Sequence, residues 1–410
     1  MQWLAHFWAD LKRSTDPGLL GVARFVGLLY GPIDRSLPID QALKKSLRYR
    51  LASHVGWRHA FGGITYLLLI VLVVTGVLLS FYYRPSPQEA YPSMQYIVSE
   101  VPIGWLVRDL HVWSANLIVV ALLLHMARVF FAAAYKPPRE TNWVVGVLLL
   151  FVVLAFGGTG YLLPWDQWAY WTVTEVLDTV GNAPFFGLIT DVLRGDVNVS
   201  GATLSRFFAL HVIVLPWAVL GLILFHFALV RRHGIAPPVT GGGAGPGTPF
   251  FPDHLLRSFI VGVLVLAVTF SLAALFPRPV GDPASGFELP ERIVSSWVVV
   301  DVSLALIRYL GVWGFVLFTL LGFALLLLPV FDRRPERQLR KRPVAVVLGI
   351  LFFGGFLVAW GVGRQLRSLP PGADLRPGDA AVGAAPAAPA PRSAAAEPPA
   401  KSASGGGERR

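Results

Sequence analysis

Residues 110–133 read LHVWSANLIVVALLLHMARVFFAA. The run exceeds the roughly 20 predominantly apolar residues that a helix needs to cross a bilayer. It nevertheless contains two histidines, His111 and His125. An ionisable side chain inside a membrane span is costly to bury and indicates a functional site by default. A single histidine, however, would more often be hydrogen-bonded within a helix bundle and have only a structural role. Other parts of the sequence are needed to distinguish a functional from a structural role.

A second apolar run, residues 207–230, repeats the pattern with His211 and His226. The separation is 14 residues in the first run and 15 in the second. At about 100° per residue both come close to four full turns, so the two histidines of each helix face nearly the same side, roughly 21–22 Å apart. Both helices are predicted to run from the outside to the inside of the membrane. His111 should therefore lie level with His211, and His125 with His226.

Each level then offers two neutral imidazoles to one metal ion. A bis-histidine haem fits this arrangement, because its flat macrocycle lies between helices and its iron takes two axial ligands. A zinc ion would instead need three or four ligands within a few ångström of one another. The four histidines therefore predict two non-covalent b-type haems, stacked along the membrane normal as a path for electrons.

Glycines on two other apolar runs repeat the 14-residue spacing, Gly62 with Gly76 and Gly146 with Gly160. Small residues also serve ordinary helix packing in membranes, and that would be the preferred interpretation of the glycines alone. Taken together with the histidine pairs, the glycines favour a ligand-binding role, since a glycine lets the backbone approach a ligand closely. We interpret them as four notches for two macrocycles.

Two arginines flank the histidines of the first run. Arg108 lies three residues before His111, and Arg128 lies three residues after His125, near opposite faces of the membrane. Both are candidates to pair with haem propionates. For Arg128, snorkelling of the side chain to lipid headgroups is an equally good interpretation.

The composition agrees with a membrane protein. Hydrophobic residues make up 54% of the chain, charged residues make up 14% and the mean hydropathy is +0.59, whereas soluble domains have about a quarter charged residues. The net charge of +11 resides in loops between apolar runs, which favours membrane orientation over nucleic-acid binding. The chain has no cysteine. Disulfides, thiolate-bound metal clusters and thioether-linked haem are therefore excluded within it.

Seven apolar runs approach or exceed the length of a membrane helix. The predicted fold is an all-α membrane protein, in which a four-helix haem-binding transmembrane bundle is followed by three further transmembrane helices. The runs lie at 61–83, 110–133, 143–163, 207–230, 255–276, 310–331 and 343–363. Residues 291–309 are apolar but interrupted by charges. We expect a helix there that lies at or dips into the outer surface, with an eighth span as the alternative.

Composition and charge divide the chain into five parts. These are an amphipathic N-terminal region, a four-helix di-haem domain, a Gly/Pro linker, a three-helix domain and a disordered Ala/Pro/Gly tail. Their predicted limits are 1–55, 56–235, 236–250, 251–366 and 367–410. Lysine and arginine concentrate in the loops on one side, which the positive-inside rule places in the cytoplasm together with the N-terminus.

Several sequence blocks surround these features. They are FGGIT at 61–65, FYYRP at 81–85, QYIVSEV at 95–101, GWLVRDLHVWSA at 104–115, KPPRETNWVVGV at 136–147, GTGYLLPWDQWAYW at 158–171, SRFFALHVIVLP at 205–216, FFPDHLLR at 250–257, GDPA at 281–284 and LPVFDRRPERQLRKRPVAVV at 328–347. The first seven resemble cytochrome b6 and its relatives in bacterial cytochrome bc complexes. The 15-residue histidine spacing is that of the cytochrome b6 branch, whereas the mitochondrial branch has one residue fewer. The last three more weakly resemble subunit IV of the b6f complex, fused here to the first part as in bacteria.

The resemblance implies the cytochrome b subunit of a bacterial cytochrome bc-type complex, which is a quinol–cytochrome c reductase-like enzyme in the cytoplasmic (inner) membrane. Quinol would be oxidised at the outer face beside Pro164, Trp165 and Asp166, and quinone would be reduced at the inner face. One electron would pass to a Rieske iron–sulfur protein and on to a cytochrome c or similar acceptor. The other would pass inward from the haem held by His111 and His211. A homodimer of the complex is also implied.

The chain departs from this family in the loop before residue 298. The family's PEWY motif, whose glutamate is thought to accept a proton from quinol, corresponds here to Pro290-Glu291-Arg292-Ile293 or, in another register, to Ser295-Ser296-Trp297-Val298. Quinol oxidation releases protons and needs a base. Glu291 would supply it in the first register, whereas Asp301 or Asp166 would have to substitute in the second.

A second departure concerns the extra haem of cytochrome b6. The family holds that haem with a cysteine just before the first glycine pair, where this chain has Ala60 or a neighbour of it. No covalent third haem is therefore expected.

Two other function classes are compatible with parts of the sequence. The altered PEWY segment favours a di-haem transmembrane electron conduit or membrane anchor without a functional bifurcating quinol site. Buried histidines could also form the proton relay of a transporter, but the geometry suited to a flat ligand and the sequence blocks argue against it. A Rieske gene beside this one would favour the quinol-oxidising function.

Overall fold

The computed structural model describes residues 50–239, 247–288, 290 and 297–366. The N-terminal region up to residue 49, the glycine run of the linker, Glu291 and the C-terminal tail lie outside these residues. The predicted limits of the five parts therefore stay predictions.

Six helices in the described ranges are long and apolar enough to cross a membrane. They coincide with six of the seven predicted runs and confirm an all-α membrane protein, to which one pair of two-residue strands is added. The helices are α1 (Phe61–Ser80), α2 (Ala90–Ser99), α3 (Gly104–Phe131), α4 (Glu140–Tyr161), α5 (Gln167–Gly181), α6 (Gly187–Arg194), α7 (Gly201–His233), α8 (Leu255–Leu275), α9 (Val298–Leu310), α10 (Val312–Leu326), α11 (Leu328–Phe331) and α12 (Pro343–Leu366), and the antiparallel strands are β1 (Arg50–Leu51) and β2 (Thr248–Pro249).

The run predicted at 310–331 forms two helices instead of one. Helix α10 has 15 residues, fewer than the roughly 20 that a membrane span needs, and α11 follows after Leu327. Pro329 explains the break, because proline has no N–H and its ring clashes with the carbonyl four residues earlier. That carbonyl belongs to Leu325 and accepts a hydrogen bond from Nε1 of Trp143 at 2.7 Å. Helix α4 therefore satisfies the carbonyl that the proline leaves unpaired.

Helix α7 contains one wide turn at Leu210–Val214, with the π-helical pattern of hydrogen bonds between residues five apart. Pro216 contributes to it, because proline has no N–H to donate to the carbonyl of Val212. A wide turn holds one residue more than an α-helical turn. The 15 residues from His211 to His226 therefore span as many turns as 14 residues of regular helix, so the unequal spacings on α3 and α7 are structurally equivalent.

Helices α1, α3, α4 and α7 form the centre of the bundle. Helix α1 packs along α3, α4 packs along α7, and α3 also contacts α4. The later helices cover this core, since α8 and α12 pack on α3 and α10 packs on α4. Aromatic rings fill the space between α3, α4 and α12, among them Phe130, Trp143 and Phe353.

Helix α9 is the helix predicted within residues 291–309. Its 13 residues are too few to cross a bilayer, so it does not form an eighth span. The side-chain oxygen of Asn116 accepts a hydrogen bond from the Val298 N–H at 2.8 Å, where the helix begins. The ring of Trp297 lies against Gly157 of α4, and a Cβ at that glycine would come within 1.8 Å of it. The location of α9 at the outer membrane surface stays a prediction.

A buried ionic cluster joins the two halves of the chain, and we call it the Asp332 clasp. The Asp332 carboxylate accepts hydrogen bonds from Lys136 Nζ at 2.8 Å, from Arg342 at 3.0 Å and from the Tyr135 hydroxyl. The side chains of Lys136 and Arg342 are both only 4% exposed, against 18% for that of Asp332. The loop after α3 is thereby bound to the segment that precedes α12.

Candidate functional site

The structure brings His111 of α3 and His211 of α7 together at one level. Their ring centres are 6.3 Å apart, and their planes are inclined by 65°. Two imidazoles on opposite sides of one metal ion, at a metal–nitrogen distance of about 2 Å, would have ring centres roughly 6 Å apart. The pair therefore has the separation that a shared metal ion requires.

A hydrogen bond between His111 and Thr75 of α1 orients the imidazole ring. The hydroxyl of Thr75, which is buried, donates to the carbonyl of Val71 at 2.7 Å. The same hydroxyl oxygen lies 2.8 Å from Nδ1 of His111. In the tautomer that leaves the lone pair of Nε2 for a metal ion, Nδ1 of His111 carries the hydrogen and donates it to Thr75.

His211 is held in the same way from α4. Its Nδ1 lies 3.0 Å from the carbonyl oxygen of Phe156 and 3.2 Å from the hydroxyl oxygen of Thr159. A carbonyl can only accept, so Nδ1 again carries the hydrogen. The edge of the Phe156 ring also packs against the imidazole, with centres 5.4 Å apart. Both rings of this level thus leave Nε2 for a ligand.

Each of the four predicted glycines lies against one of the four histidines. An added Cβ would meet Cε1 of the facing imidazole at 2.5 Å for Gly160 and His211, 3.2 Å for Gly62 and His125, 3.3 Å for Gly76 and His111, and 3.7 Å for Gly146 and His226. The glycines therefore admit the imidazole rings themselves. That they also leave room for two macrocycles stays a prediction.

His125 and His226 line a cavity of about 290 Å³ at the second level. Its volume is close to the lower end of the range for cofactor pockets, roughly 300–1,000 Å³, and most of its lining is apolar. Gly62 and Gly146 form part of its wall. Nδ1 of His226 is buried and lies near the backbone of Asn142. A largely apolar space between two imidazoles fits a flat, largely apolar cofactor such as haem.

The two predicted arginines differ in their contacts. Arg128 lines the second-level cavity, where its charge is available to an acidic group of a ligand. Arg108 instead bonds to Asp109 at 3.0 Å and to the carbonyls of Arg278 and Pro279. Its contacts bind α3 to the segment after α8, and its predicted pairing with a propionate stays a prediction.

Residues 164–167 and 281–285 bind each other, and we call this arrangement the PWDQ clasp. Two of the sequence blocks, PWDQ and GDPA, thus meet in space. The bonds run from Gly281 N to Asp166 Oδ2 (3.1 Å), from Gln167 N to Asp282 O (2.8 Å), from Ala284 N to Trp165 O (3.1 Å) and from Ser285 N to Gln167 Oε1 (2.6 Å). The loop after α4 is therefore fixed to the segment that follows α8.

Asp166 is the central acceptor of the PWDQ clasp. Its other oxygen accepts the N–H of Ala169 at 2.8 Å and so caps α5. Burial raises the pKa of the Asp166 carboxyl, although the backbone hydrogen bonds from Ala169 and Gly281 oppose the shift. Pro164 and Trp165 precede it, and Trp165 has a positive φ of 53°, a strained backbone conformation that often marks functional sites.

Replacing Asp166 by alanine should lower the free energy of unfolding by roughly 1–3 kcal/mol, because the cap is lost and the Gly281 N–H loses its acceptor. Asparagine should lose less stability than alanine, since it caps helices as well as aspartate does, although its single amide oxygen cannot also accept the Gly281 N–H. Thermal unfolding of the detergent-purified protein measures both, with Asp191→Ala on the exposed face of α6 as control. Equal stability of the alanine and asparagine variants would contradict the capping role.

The predicted proton acceptor Glu291 lies outside the described residues. Its neighbour Pro290 lines a second cavity, together with Trp171 and Asp178 of α5. Asp301 of α9, the alternative acceptor, is 1% exposed. The structure places Asp166 beside Gly281, whereas the assignment of the base stays a prediction.

Thr75 and Thr159 were not among the candidates from the sequence. Each immediately precedes a predicted glycine, in Thr75-Gly76 and Thr159-Gly160. A Thr-Gly pair repeated on two helices was the available signal, because successive helical positions can reach the same neighbouring ring.

Known proteins resemble this chain in sequence over long stretches. The sequence-family model described as Cytochrome b/b6/petB matches residues 47–234. A cytochrome bc complex cytochrome b subunit from Chlorobaculum thiosulfatiphilum is 35% identical over 307 residues, covering 73% of this chain and 71% of the relative. Cytochrome b6 of Prochlorothrix hollandica is 43% identical over 187 residues, covering 45% of this chain and 84% of the relative.

Among solved structures, the fold is similar to a chain of a hyperthermophilic respiratory Complex III. The TM-score is 0.72 at 30% sequence identity, over 83% of this chain and 91% of that one. The likeness thus extends over the four-helix core and the later helices. Together with six helices of membrane-spanning length, these similarities show that the chain is a multi-pass membrane protein that belongs to the cytochrome b family.

Proposed function

We propose that the chain is the di-haem cytochrome b subunit of a cytochrome bc-type quinol oxidoreductase. The observation that carries the proposal is the grouping of four histidines from α3 and α7 at two levels, each imidazole facing its own glycine. When bound, two b-type haems supply a path for electrons from one side of the membrane to the other.

The chain's own residues suit this role at both levels. Nε2 of His111 and His211 would bind one iron, and Nε2 of His125 and His226 the other. The hydrogen bonds at Nδ1 of the first pair keep these rings from turning. Arg128 offers a positive charge at the second-level cavity, which suits a propionate. Binding would be non-covalent, because the chain has no cysteine.

Quinol oxidation is proposed at the PWDQ clasp. Pro164 and Trp165 would line this site, with Asp166 fixing their position through its backbone hydrogen bonds. The base would be Glu291, which follows Pro290 in the sequence. Asp166 itself has both carboxylate oxygens engaged by backbone N–H groups, which supports a positioning role rather than transfer of protons.

The proposed orientation places the His111 level outside and the His125 level inside a bacterial cytoplasmic membrane, with the N-terminus in the cytoplasm. Lys136, Arg139 and Arg342 all lie at the His125 end, in agreement with the positive-inside rule. Quinol oxidised outside would give one electron to a Rieske iron–sulfur protein and, through it, to a cytochrome c or similar acceptor. The other would reach a quinone at the inner level. We propose a homodimeric complex, as in the family.

A conduit or membrane anchor without bifurcation is the second candidate. The observation that favours it is the pair Arg292-Ile293, which stands in place of the last two residues of the PEWY motif. Such a protein would hold both haems and exchange electrons with one outside partner.

The test of the haem assignment is a dithionite-minus-oxidised spectrum with a redox titration of the purified protein. We expect two b-type components. His111→Leu should remove one and His226→Leu the other, because each deletes an axial ligand of a different level. His254→Leu, outside both pairs, should leave the two components unchanged. A single component in the unaltered protein would overturn the proposal.

Quinol-dependent reduction of cytochrome c by the complex purified with its partners separates the two candidate functions. Activity that is lost in Glu291→Gln, with both haem components retained, would support bifurcation. Two haem components without such activity would favour the conduit.

A further inference from the structure

We propose that Thr75 and Thr159 are positioning residues that lower the reduction potential of the centre at the His111 level. The inference rests on the proposed function, because it concerns the iron that His111 and His211 would hold. It adds a role for two hydroxyl groups that face Nδ1 of these histidines, on the side away from the ligating nitrogen.

The direction of each hydrogen bond follows from the helix in which the threonine lies. Thr75 donates to Val71 O at 2.7 Å, and Thr159 donates to Ala155 O at 2.8 Å. Each hydroxyl hydrogen is thus engaged within its own helix. The oxygen faces an imidazole N–H as an acceptor, at 2.8 Å for His111 and 3.2 Å for His211. Both hydroxyls are buried, so water does not compete for these bonds.

The same arrangement, a threonine followed by a glycine that both face one imidazole, occurs twice, once at His111 and once at His211. Helix α1 presents Thr75 and Gly76 to His111, while α4 presents Thr159 and Gly160 to the opposite ring. In each case the glycine admits the ring and the threonine before it accepts the ring's hydrogen. Two independent helices therefore converge on one arrangement around the two imidazoles.

The level of His125 and His226 lacks this Thr-Gly arrangement. The residues before its glycines are Phe61 and Val145, which have no hydroxyl to offer. Nδ1 of His226 lies near the backbone of Asn142, and no threonine hydroxyl of the described residues bonds to it. The two levels therefore differ in the groups behind their ligands, although each has two histidines.

This difference has a chemical consequence. An acceptor at Nδ1–H raises the basicity of the imidazole and makes it a stronger electron donor to a metal ion. A stronger donor stabilises the oxidised, more positive iron, and second-shell hydrogen bonding is one of the ways in which a protein sets a haem potential. The hydroxyls should thus lower the potential of the His111 level relative to the same site without them.

The experiment compares redox titrations of Thr75→Val, Thr159→Val and the double variant with the unaltered protein. Valine keeps the shape of threonine and removes the hydroxyl. We expect one b-type component to move to higher potential in each single variant and further in the double variant, with the other component unmoved. A tenfold change in the equilibrium between oxidised and reduced iron corresponds to about 59 mV for one electron. Thr75→Ser should restore the original value.

Thr269→Val is the matched control. Thr269 is a buried threonine of α8 that donates to Val265 O at 2.8 Å and contacts no histidine through its hydroxyl. Both potentials should be unchanged in this variant. If Thr75→Val loses the component altogether, Thr159→Val decides, because Phe156 O still accepts from His211 there. Unaltered potentials of both components in Thr75→Val, or in Thr159→Val where Thr75→Val has lost a component, would overturn the inference. Absence of two components in the unaltered protein would overturn the proposed function instead.

Discussion

Replacing Gly160 by alanine should abolish the b-type component of the His111 level and leave the other component in place. The added Cβ would lie 2.5 Å from Cε1 and 3.0 Å from Nδ1 of His211, closer than packed atoms approach. The ring cannot move aside without breaking its hydrogen bonds to Phe156 and Thr159. The measurement is the reduced-minus-oxidised spectrum of the purified variant.

Gly158→Ala is the control on the same helix, because a Cβ there would meet no described atom within 4 Å. Alanine is otherwise favoured over glycine in a helix by roughly 0.5–1 kcal/mol, so this variant should be at least as stable as the parent. Both components retained in Gly160→Ala would contradict the tight fit of the His211 ring.

The other glycines should follow the order of their distances. Gly62→Ala, at 3.2 Å from His125, should weaken the second component, whereas its neighbour Gly63→Ala meets nothing within 4 Å and should not. Gly146→Ala should be tolerated, since 3.7 Å from His226 is an ordinary contact. The graded series distinguishes a specific fit at each ring from a general loss of folding.

Replacing Asp332 by alanine should destabilise the protein by about 3–5 kcal/mol, the usual cost of leaving buried charges without their partner. Lys136 and Arg342, both 4% exposed, would lose the carboxylate that lies between them. Because they belong to different halves of the chain, the packing of α12 on α3 should weaken as well. Thermal unfolding in detergent measures the effect.

The control is Glu336→Ala in the same loop. Glu336 pairs with Lys341 at the surface, where solvent screens the interaction, so little change is expected. A loss of stability as large as that of Asp332→Ala would show that the loop as a whole, rather than the buried clasp, is responsible.

The effect of Asp332 should also depend on pH. Burial raises the pKa of its carboxyl, but hydrogen bonds from Lys136 and Tyr135 and the charge of Arg342 outweigh this, so the pKa lies below its ordinary value. A lowered pKa in the folded state contributes stability above the ordinary value of about 4, and this contribution is lost as the pH falls through the lowered pKa. The difference between Asp332→Ala and the parent should be constant at neutral pH and shrink in acid.

The sequence was sufficient to predict most of the long helices and the pairing of His111 with His211. The reason is that the spacing of two residues along a helix gives the directions in which their side chains point, whatever the neighbouring helices are. The glycines could be placed on the same basis, although the structure shows them against imidazole rings. Thr75 could not be found in this way. Its role depends on which neighbouring helix faces it and on a hydrogen bond across that interface, neither of which is encoded in local periodicity.

Other features required the tertiary arrangement as well. The apolar run at 310–331 is long enough for one span, but Pro329 divides it and Trp143 of α4 satisfies the carbonyl left over. Arg108 has the spacing of a propionate partner, yet its guanidinium contacts Asp109 and backbone carbonyls after α8. In both cases the decisive partner comes from a distant segment of the chain.

The wide turn of α7 bears on how histidine spacing could change during evolution. Deleting one codon from a regular helix rotates everything after it by about 100°, which would turn His226 away from its level. The turn at Leu210–Val214 holds one surplus residue, and losing it would leave an ordinary turn with the later residues still facing as before. A lineage with one residue fewer between its histidines can therefore be related to this one through a single deletion. After that deletion all four histidines would still face in the same directions.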